Sequence, residues 1–179
     1  MITQMTLEAV RERIESLFAA YNAHDVHAML SQCTEDVVWE DPTLPVTAVG
    51  REAVADEIRN QFAIFPDLQF PKEEMEIYRS LDHRDSAAAR WTMAATMVKG
   101  VAPLGLEPTD KPVHIPGMAA YEFRDGLIAR VTVSYDVLFL SEQLGLMSSF
   151  TLPDWPSHLI DRARSLAGTV THLGHRILH

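Results

Sequence analysis

The chain has 179 residues, of which 47% are hydrophobic, so it can bury one sizeable core, and its length favours a single domain. Its formal net charge of -10 would repel a phosphate backbone, which argues against nucleic acid as a partner. The N-terminus has no basic segment followed by an apolar run, and no stretch approaches the roughly 18 apolar residues of a membrane span. We therefore expect a soluble, cytoplasmic protein without a membrane partner. The single cysteine, Cys33, excludes an intrachain disulfide.

The first part of the chain shows the periodicity of helices. Apolar residues recur at spacings of three and four in TLEAVRERIESLFAAYNAHD, which predicts an amphipathic helix with Thr6 as its N-cap. Asp25 can cap a shorter second helix. VVWEDP then predicts a strand that Pro42 ends, because proline lacks the N–H of a sheet ladder. A third helix is predicted to follow Gly50 and to end at Pro66.

The next part of the chain changes to the pattern of strands. Four segments rich in strand-forming residues follow one another, and RDG at 124–126 is a strong hairpin signal. Three helices followed by a mostly antiparallel sheet predict an α+β fold with the helices on one face of the sheet. The four segments are EMEIYRSLD, SAAARWTMAATMVKG, PVHIPGMAAYEF and LIARVTVSYDVLF.

The C-terminal segment carries a further amphipathic pattern in SHLIDRARSLAGTVTHLGHRIL. We expect residues 1–146 to form the α+β unit and residues 147–179 to form a helical extension of the same domain. The apolar stripe of this extension would be buried either over the mouth of a pocket or across a subunit interface.

Four strings carry a family resemblance between residues 6 and 146: YNAHD, VVWEDP with GREAV, FPDL, and YEFRDGLIARVTVSYDVLFLSEQLGL. Through them the chain resembles the SnoaL-like polyketide cyclase branch of the nuclear-transport-factor-2-like superfamily. It is also similar to ketosteroid isomerases and limonene-epoxide hydrolases. The resemblance implies a cone-shaped, curved sheet with the N-terminal helices packed around a pocket, and it favours a homodimer. Because this fold carries many activities, the resemblance alone fixes no reaction.

Asp41 is the first candidate acid that the resemblance implies. In ketosteroid isomerases a similar EDP string ends a strand at the pocket, and its aspartate shuttles the proton. A carboxylate at the end of a buried strand is also partly desolvated, which raises its pKa and suits it to proton exchange near neutral pH. Glu40 should point to the opposite, solvated face. The alternative role of Asp41 is to cap a turn or the helix that begins near Gly50.

Asp136, ten residues after Gly126, is the second candidate acid. SnoaL-like cyclases and limonene-epoxide-hydrolase-like enzymes keep their principal catalytic aspartate at the corresponding place in the last strand. Its neighbours in VTVSYDVLF are apolar or β-branched, so we expect it to be buried and partnered. The alternative is a structural acid bound to an arginine or to a backbone N–H.

Arg90 lies in an otherwise apolar strand and is the expected partner of Asp136. It could hold Asp136 ionised or bind a substrate oxygen through its fork of donors, and the alternative is a purely structural salt bridge. The epoxide-hydrolase relatives have an aspartate two residues after the matching arginine, where this chain has Thr92. An Asp-Arg-Asp relay is therefore incomplete.

Leu17 and Ala119 occupy the positions at which ketosteroid isomerases hold the enolate oxygen, by alignment on YNAHD and YEF. Neither side chain can donate a hydrogen bond, which argues against 3-ketosteroid isomerisation. We expect both to line a pocket together with four aromatic residues, for which an ordinary core position is the alternative. The aromatic residues are Trp39, Trp91, Tyr121 and Phe123.

His114 is a candidate general acid, because some cyclases of the family have a pocket histidine. Strict alternation places it on the face opposite Tyr121, unless IPG at 115–117 forms a bulge. No metal site is expected, because the histidine pairs at helical spacing lack an identifiable further ligand.

The combined residues favour a cofactor-free acid–base enzyme that acts on a small, mostly apolar, carbonyl-containing metabolite. The reaction would be a polyketide-type cyclisation or isomerisation. Asp136 would transfer the proton, Asp41 would be a second acid or base, and Arg90 would orient the substrate or stabilise an oxyanion. Two alternatives stay open: an epoxide hydrolase-type enzyme, and a non-catalytic module that binds a small molecule or a partner chain.

Overall fold

The computed structural model describes residues 5–44, 46–81, 85–101 and 106–146. The chain divides into two compact units, Met1–Met147 and Ser148–His179, and all the described residues lie in the first. The predicted C-terminal helix therefore lies outside the described residues. Within the described ranges, no helix has both the length and the apolar character that a bilayer span requires.

The helices of the first unit begin where the sequence predicts an N-cap. The Thr6 hydroxyl and the Asp25 carboxylate each accept a hydrogen bond from a backbone N–H in the first turn that follows, at 3.1 and 2.9 Å. The helices are α1 (Leu7–Asn22), α2 (Val26–Ser31), α3 (Arg51–Ile64) and α4 (Val137–Leu144), with a short 3₁₀ turn at Lys72–Glu74.

In the described ranges, six strands form one mixed, mostly antiparallel sheet in the order β2-β1-β6-β5-β4-β3. The pair β1 and β6 is parallel, and the other neighbours are antiparallel. The predicted α+β class is confirmed, although the short β2 is absent from the prediction. The strands are β1 (Cys33–Glu40), β2 (Ala48–Val49), β3 (Glu76–Arg79), β4 (Ser86–Thr96), β5 (Pro112–Arg124) and β6 (Leu127–Tyr135).

The hairpin between β5 and β6 turns at the predicted RDG string. Asp125 and Gly126 have positive φ angles of 53° and 78°, as a two-residue turn of type I′ requires at both of its central positions. The turn pairs Arg124 with Leu127, and a register shift between Glu122 and Phe123 then places Ala119 opposite Val133 and Gly117 opposite Tyr135.

The last strand is shorter than predicted. LIARVTVSYDVLF predicts a strand that continues to Phe139, but β6 ends at Tyr135 and α4 begins at Val137. The apolar and β-branched residues in this segment favour a strand, yet Asp136 caps a helix and overrides that preference. Gly145, with a φ of 72°, ends α4 in the left-handed conformation.

The hydrophobic core lies between one face of the sheet and the helices. Buried and more exposed residues alternate along β4 and β5, so each strand has an inner face toward the core and an outer face away from it. The strict pairing of β4 with β5 keeps this alternation in phase over their whole length. Core members from the helices and the inner face include Val10, Ile14, Val54, Ala89, Ile115 and Val131.

Candidate active site

A cavity of about 280 Å³ is lined by residues of the inner sheet face and of α1, α3 and α4. Its walls are mostly apolar, which suits a small ligand with few polar groups. Among the described lining residues, none is an arginine, a lysine or a histidine. Apolar members of the lining include Leu17, Phe18, Ile58, Ile64, Met93 and Val131.

Asp41 lines the cavity directly after β1, and three donors fix its carboxylate. Its Oδ1 atom accepts hydrogen bonds from the Tyr135 hydroxyl at 2.9 Å, the Thr43 hydroxyl at 2.6 Å and the Thr43 backbone N–H at 2.9 Å. In the described part of the chain, Oδ2 has no hydrogen-bond partner. One carboxylate oxygen is therefore held in place while the other remains available to a ligand.

Tyr135 reaches Asp41 because β1 and β6 run parallel and end at the same edge of the sheet. The register pairs Glu40 with Thr132, so Asp41, directly after β1, and Tyr135, the last residue of β6, lie near the same end of the sheet. Burial raises the pKa of the Tyr135 hydroxyl, and the charge of Asp41 raises it further. The hydroxyl therefore stays protonated at neutral pH and acts as a hydrogen-bond donor.

Tyr21, on α1, adds a phenol from the helices to the cavity lining. Its hydroxyl donates a hydrogen bond to Oε1 of Gln61 on α3. Burial raises the pKa of the Tyr21 hydroxyl, and the charge of Asp41 is the next cause. The charge of Asp41 therefore acts on the hydroxyls of both Tyr21 and Tyr135.

Six of the residues named from the sequence line this cavity. Asp41 is the polar member, and the other five form apolar or aromatic parts of the wall. Phe123 is buried but is not among the described lining residues, which matches the alternative of an ordinary core position. The remaining five are Leu17, Trp39, Trp91, Ala119 and Tyr121.

Asp136 is exposed, and the expectation that it is a buried acid is wrong. Its carboxylate accepts a hydrogen bond from the Phe139 backbone N–H at 2.9 Å and caps α4. The alternative interpretation, a structural acid bound to a backbone N–H, is the one that the geometry matches. The start of a helix directly after β6 turns this residue away from the cavity that Tyr135 lines.

The expected pairing of Arg90 with Asp136 is wrong, because Arg90 lies on the outer face of β4 and pairs with another acid. Its side chain is 58% exposed and forms an ion pair with Glu76 at 3.1 Å. The two residues face each other across β3 and β4. The exposed pairing matches the alternative of a structural salt bridge, and Arg90 is not part of the described cavity lining.

His114 lies on the outer face as strict alternation predicts, and the bulge that would bring it inside does not form. The register between β4 and β5 is continuous through residues 115–117, so the phase does not change. The His114 ring is exposed and lies 3.5 Å from the Glu74 carboxylate. Its expected role as a pocket acid therefore has no geometric support.

Glu40 lies on the outer face, as predicted. The Thr132 hydroxyl and the Arg130 guanidinium donate to its two carboxylate oxygens, both at 2.7 Å. The hydrogen bond from Thr132 is the largest cause that holds the pKa of Glu40 below its usual range; desolvation opposes it, and Arg130 lowers the pKa further. Glu40 and Asp41 are adjacent at the end of β1, yet their surroundings differ. Glu40 forms an ion pair on the outer face, whereas Asp41 lines the cavity.

Tyr135, Thr43, Tyr21 and Gln61 are functional candidates that the sequence analysis missed. The signal for Tyr135 is the alternation of Val131, Val133 and Tyr135, all of which line the cavity. The other three depend on how separate elements pack, which no local pattern shows. Among the described residues, no three His, Cys, Asp or Glu side chains cluster closely enough to hold a metal ion.

Comparison with known proteins gives the family of the chain. The sequence model of the SnoaL-like domain matches residues 14–131, which is more than half of the chain. The protein therefore belongs to the SnoaL-like domain family, and the resemblance seen in the sequence is confirmed. No curated protein sequence matches the chain.

Three solved structures illustrate the shared fold. A candidate polyketide cyclase from Xanthomonas campestris pv. campestris is 22% identical, with a TM-score of 0.67 over 76% of this chain and 97% of that one. A candidate polyketide cyclase from Silicibacter sp. TM1040 is 26% identical, with a TM-score of 0.66 over 78% and 97%. A candidate isomerase from Bacillus subtilis is 21% identical, with a TM-score of 0.64 over 79% and 96%.

Proposed function

We propose that the protein is a cofactor-free acid–base enzyme that acts on a small, mostly apolar, carbonyl-containing metabolite. The reaction is a polyketide-type cyclisation or isomerisation, in which a proton leaves a carbon next to the carbonyl group and is returned to the product. Asp41 takes up and returns this proton. Tyr135 and Thr43 position its carboxylate.

The single observation that carries this proposal is the carboxylate of Asp41 in an apolar cavity, held through one oxygen only. A general base must lie within hydrogen-bond reach of the proton that it removes, and Oδ2 has no competing partner among the described residues. Three donors on Oδ1 restrict rotation of the carboxylate, so little reorganisation is needed when it transfers a proton.

The family supports the class of reaction. The solved structure from Silicibacter sp. TM1040, which is 26% identical to this chain, is that of a candidate polyketide cyclase. Polyketide intermediates are rich in carbonyl groups whose neighbouring carbons are acidic, so a mostly apolar cavity with the positioned carboxylate of Asp41 suits them. The epoxide hydrolase alternative loses its basis, because Arg90 and Asp136 are both outside the described cavity lining.

Deuterium exchange tests the proposal. 2-Tetralone is a compact, mostly apolar ketone with acidic carbons beside its carbonyl group. In deuterium oxide, we expect the wild-type protein to accelerate deuterium incorporation at these carbons, measured by proton NMR. Asp41→Asn should lower the accelerated rate by about 100-fold or more, since general acid–base catalysis contributes roughly 10²- to 10⁴-fold.

A melting curve of Asp41→Asn supplies the control, because an unchanged transition shows that the fold persists. The proposal of catalysis is wrong for this substrate class if the wild-type protein binds 2-tetralone but does not accelerate exchange. That result would favour the non-catalytic binding module. Exchange that persists in Asp41→Asn would remove Asp41 from the mechanism.

A further inference from the structure

A hydrogen-bonded pair, Tyr21 on α1 and Gln61 on α3, lines the same cavity as Asp41 but has no part in the proton transfer described above. Tyr21 is only 7% exposed, and its hydroxyl donates to Oε1 of Gln61. The pair belongs to the helices, whereas Asp41 and Tyr135 follow or end strands. These polar groups of the cavity therefore come from two parts of the fold, the helices and the strand ends.

Aromatic packing fixes the Tyr21 ring. Phe62 and Phe70 contact it edge-on, with ring centroids 5.5 and 5.2 Å away. Edge-to-face pairs of this kind have a preferred geometry, so the phenol has little freedom to turn away from Gln61. A polar group that is held in this way can meet a ligand without being reordered first.

The pair always leaves a hydrogen-bond donor for a ligand. In the arrangement described, the Tyr21 proton is used by Gln61, and the two N–H groups on Nε2 of Gln61 have no partner among the described residues. If the amide turns over, Nε2 donates to the Tyr21 oxygen and the Tyr21 proton is released instead. Either arrangement suits a ligand oxygen that accepts hydrogen bonds.

Tyr21 also lies on the same face of α1 as Leu17, one turn further along the helix. Both residues line the cavity. Leu17 has no hydrogen-bond donor, which argued against an enolate-binding group on α1. The phenol of Tyr21 supplies a donor on the same helix four residues later.

We propose that Tyr21 and Gln61 form the subsite for the carbonyl oxygen of the ligand. This inference rests on the proposed function, in which Asp41 removes a proton from the carbon beside that carbonyl group. The C–H bond breaks, its electron pair is delocalised onto the oxygen, and the proton resides on Asp41 until it is returned to carbon. A hydrogen bond from Tyr21 or Gln61 stabilises the charge that forms on the oxygen.

Ligand binding tests the subsite without requiring turnover. 2-Naphthol is a stable analogue of the enol of 2-tetralone, and naphthalene has a similar shape without the oxygen. We expect 2-naphthol to bind the wild-type protein about tenfold more tightly than naphthalene, as one well-placed hydrogen bond allows. In the double variant Tyr21→Phe/Gln61→Leu, the ratio of the two dissociation constants should fall close to one, with the naphthalene affinity retained.

Two controls locate the effect. Tyr78→Phe removes a phenol from the exposed part of β3 and should keep the wild-type ratio. Asp41→Asn tests the competing assignment, in which the Asp41 carboxylate holds the naphthol hydroxyl. A ratio lost in Asp41→Asn but kept in the double variant would overturn the inference, and so would a wild-type ratio near one. If the double variant does not fold, Tyr21→Phe/Gln61→Met, which also removes both donors and keeps the side-chain volumes more closely, gives the same comparison.

The two proposals fail in different ways. If the wild-type protein does not exchange deuterium into 2-tetralone, the proposed reaction is wrong, whereas the naphthol ratio still reports on the oxygen subsite. If exchange depends on Asp41 but the ratio is unchanged in the double variant, the proposed reaction stands and the subsite is wrong.

Discussion

The inner and outer faces of the same sheet satisfy their polar groups in opposite ways. On the outer face, acidic residues pair with cations, as in Glu40 with Arg130 at 2.7 Å and Glu76 with Arg90 at 3.1 Å. On the inner side, Asp41 is held by two hydroxyls and a backbone N–H. Neutral donors orient the Asp41 carboxylate without placing a fixed positive charge beside it. The ion pairs of the outer face therefore have a stabilising role, whereas Asp41 is suited to proton transfer.

Asp41 and Asp136 show the same difference at the ends of two parallel neighbours. Each follows the last residue of its strand, β1 or β6. After β1 the chain makes a turn that keeps Asp41 beside Tyr135, whereas after β6 it begins α4 and uses Asp136 as the cap. The element that follows a strand therefore decides the role of the acid.

The largest expected effect on naphthalene binding comes from filling the cavity. Ala119 on β5 is 3% exposed and lines the cavity, while its neighbour Ala120 is exposed on the outer face. Ala119→Phe should weaken naphthalene binding more than about tenfold, because the added ring occupies ligand space and overpacks its surroundings. Ala120→Phe should change binding by no more than about twofold, as is usual for surface substitutions. Equal effects of the two variants would show that the inner face does not hold the ligand.

Gly117→Ala should destabilise the inner face. Gly117 lies between Trp91 and Tyr135 in neighbouring strands, and the Trp91 ring covers it. A Cβ at this position would overlap Cη2 of Trp91 and lie 2.6 Å from its Cζ3. We expect a loss of about 1–3 kcal/mol in the free energy of unfolding, measured by urea denaturation.

The neighbouring substitution Met118→Ala is the matched control, because Met118 is 43% exposed on the outer face. It should cost less than about 0.5 kcal/mol. A Gly117→Ala variant that is as stable as the wild-type protein would show that Trp91 can move aside at little cost.

Asp136→Ala should lower stability by about 1 kcal/mol, since it removes the N-cap of α4. Asp136→Asn should be close to neutral, because asparagine caps a helix about as well as aspartate. Thermal or urea unfolding measures both. If Asn is as damaging as Ala, the charge of Asp136 rather than its cap is important, and the structural assignment fails.

The smallest expected effect is a pH dependence at Glu40. Its pKa is lowered in the folded state, so it stabilises the fold above the unfolded value of about 4.3, and this contribution is lost as the pH falls through the folded value. Glu40→Gln should therefore make the fall in stability below about pH 4.3 less steep. Unfolding curves that lose stability equally in both proteins would contradict the assignment.

Local signals predicted most of the fold. The caps at Thr6 and Asp25 and the turn at Asp125 and Gly126 each depend on a few adjacent residues, and the structure matches all of them. The prediction for the segment after Tyr135 was wrong. Its apolar and β-branched residues fit a strand, but one side chain, Asp136, caps a helix there. Periodicity alone does not resolve such a short apolar run.

The candidate site was less predictable than the fold. Asp41 could be named because the EDP string lies at a strand end, and its place in the cavity agrees. The contact between Tyr135 and Asp41 could not be predicted, since it depends on the parallel register of β1 with β6. The prediction of a cavity residue at the end of β6 was off by one position: Tyr135 lines the cavity, and Asp136 is not part of the described lining.

The most direct test compares the two strand-end aspartates in one assay. Deuterium incorporation into 2-tetralone would be followed by NMR for the wild-type protein, Asp41→Asn and Asp136→Asn under identical conditions. The cavity account predicts that Asp136→Asn matches the wild-type protein, whereas Asp41→Asn falls to the uncatalysed rate. Loss of exchange in Asp136→Asn together with full exchange in Asp41→Asn would contradict it.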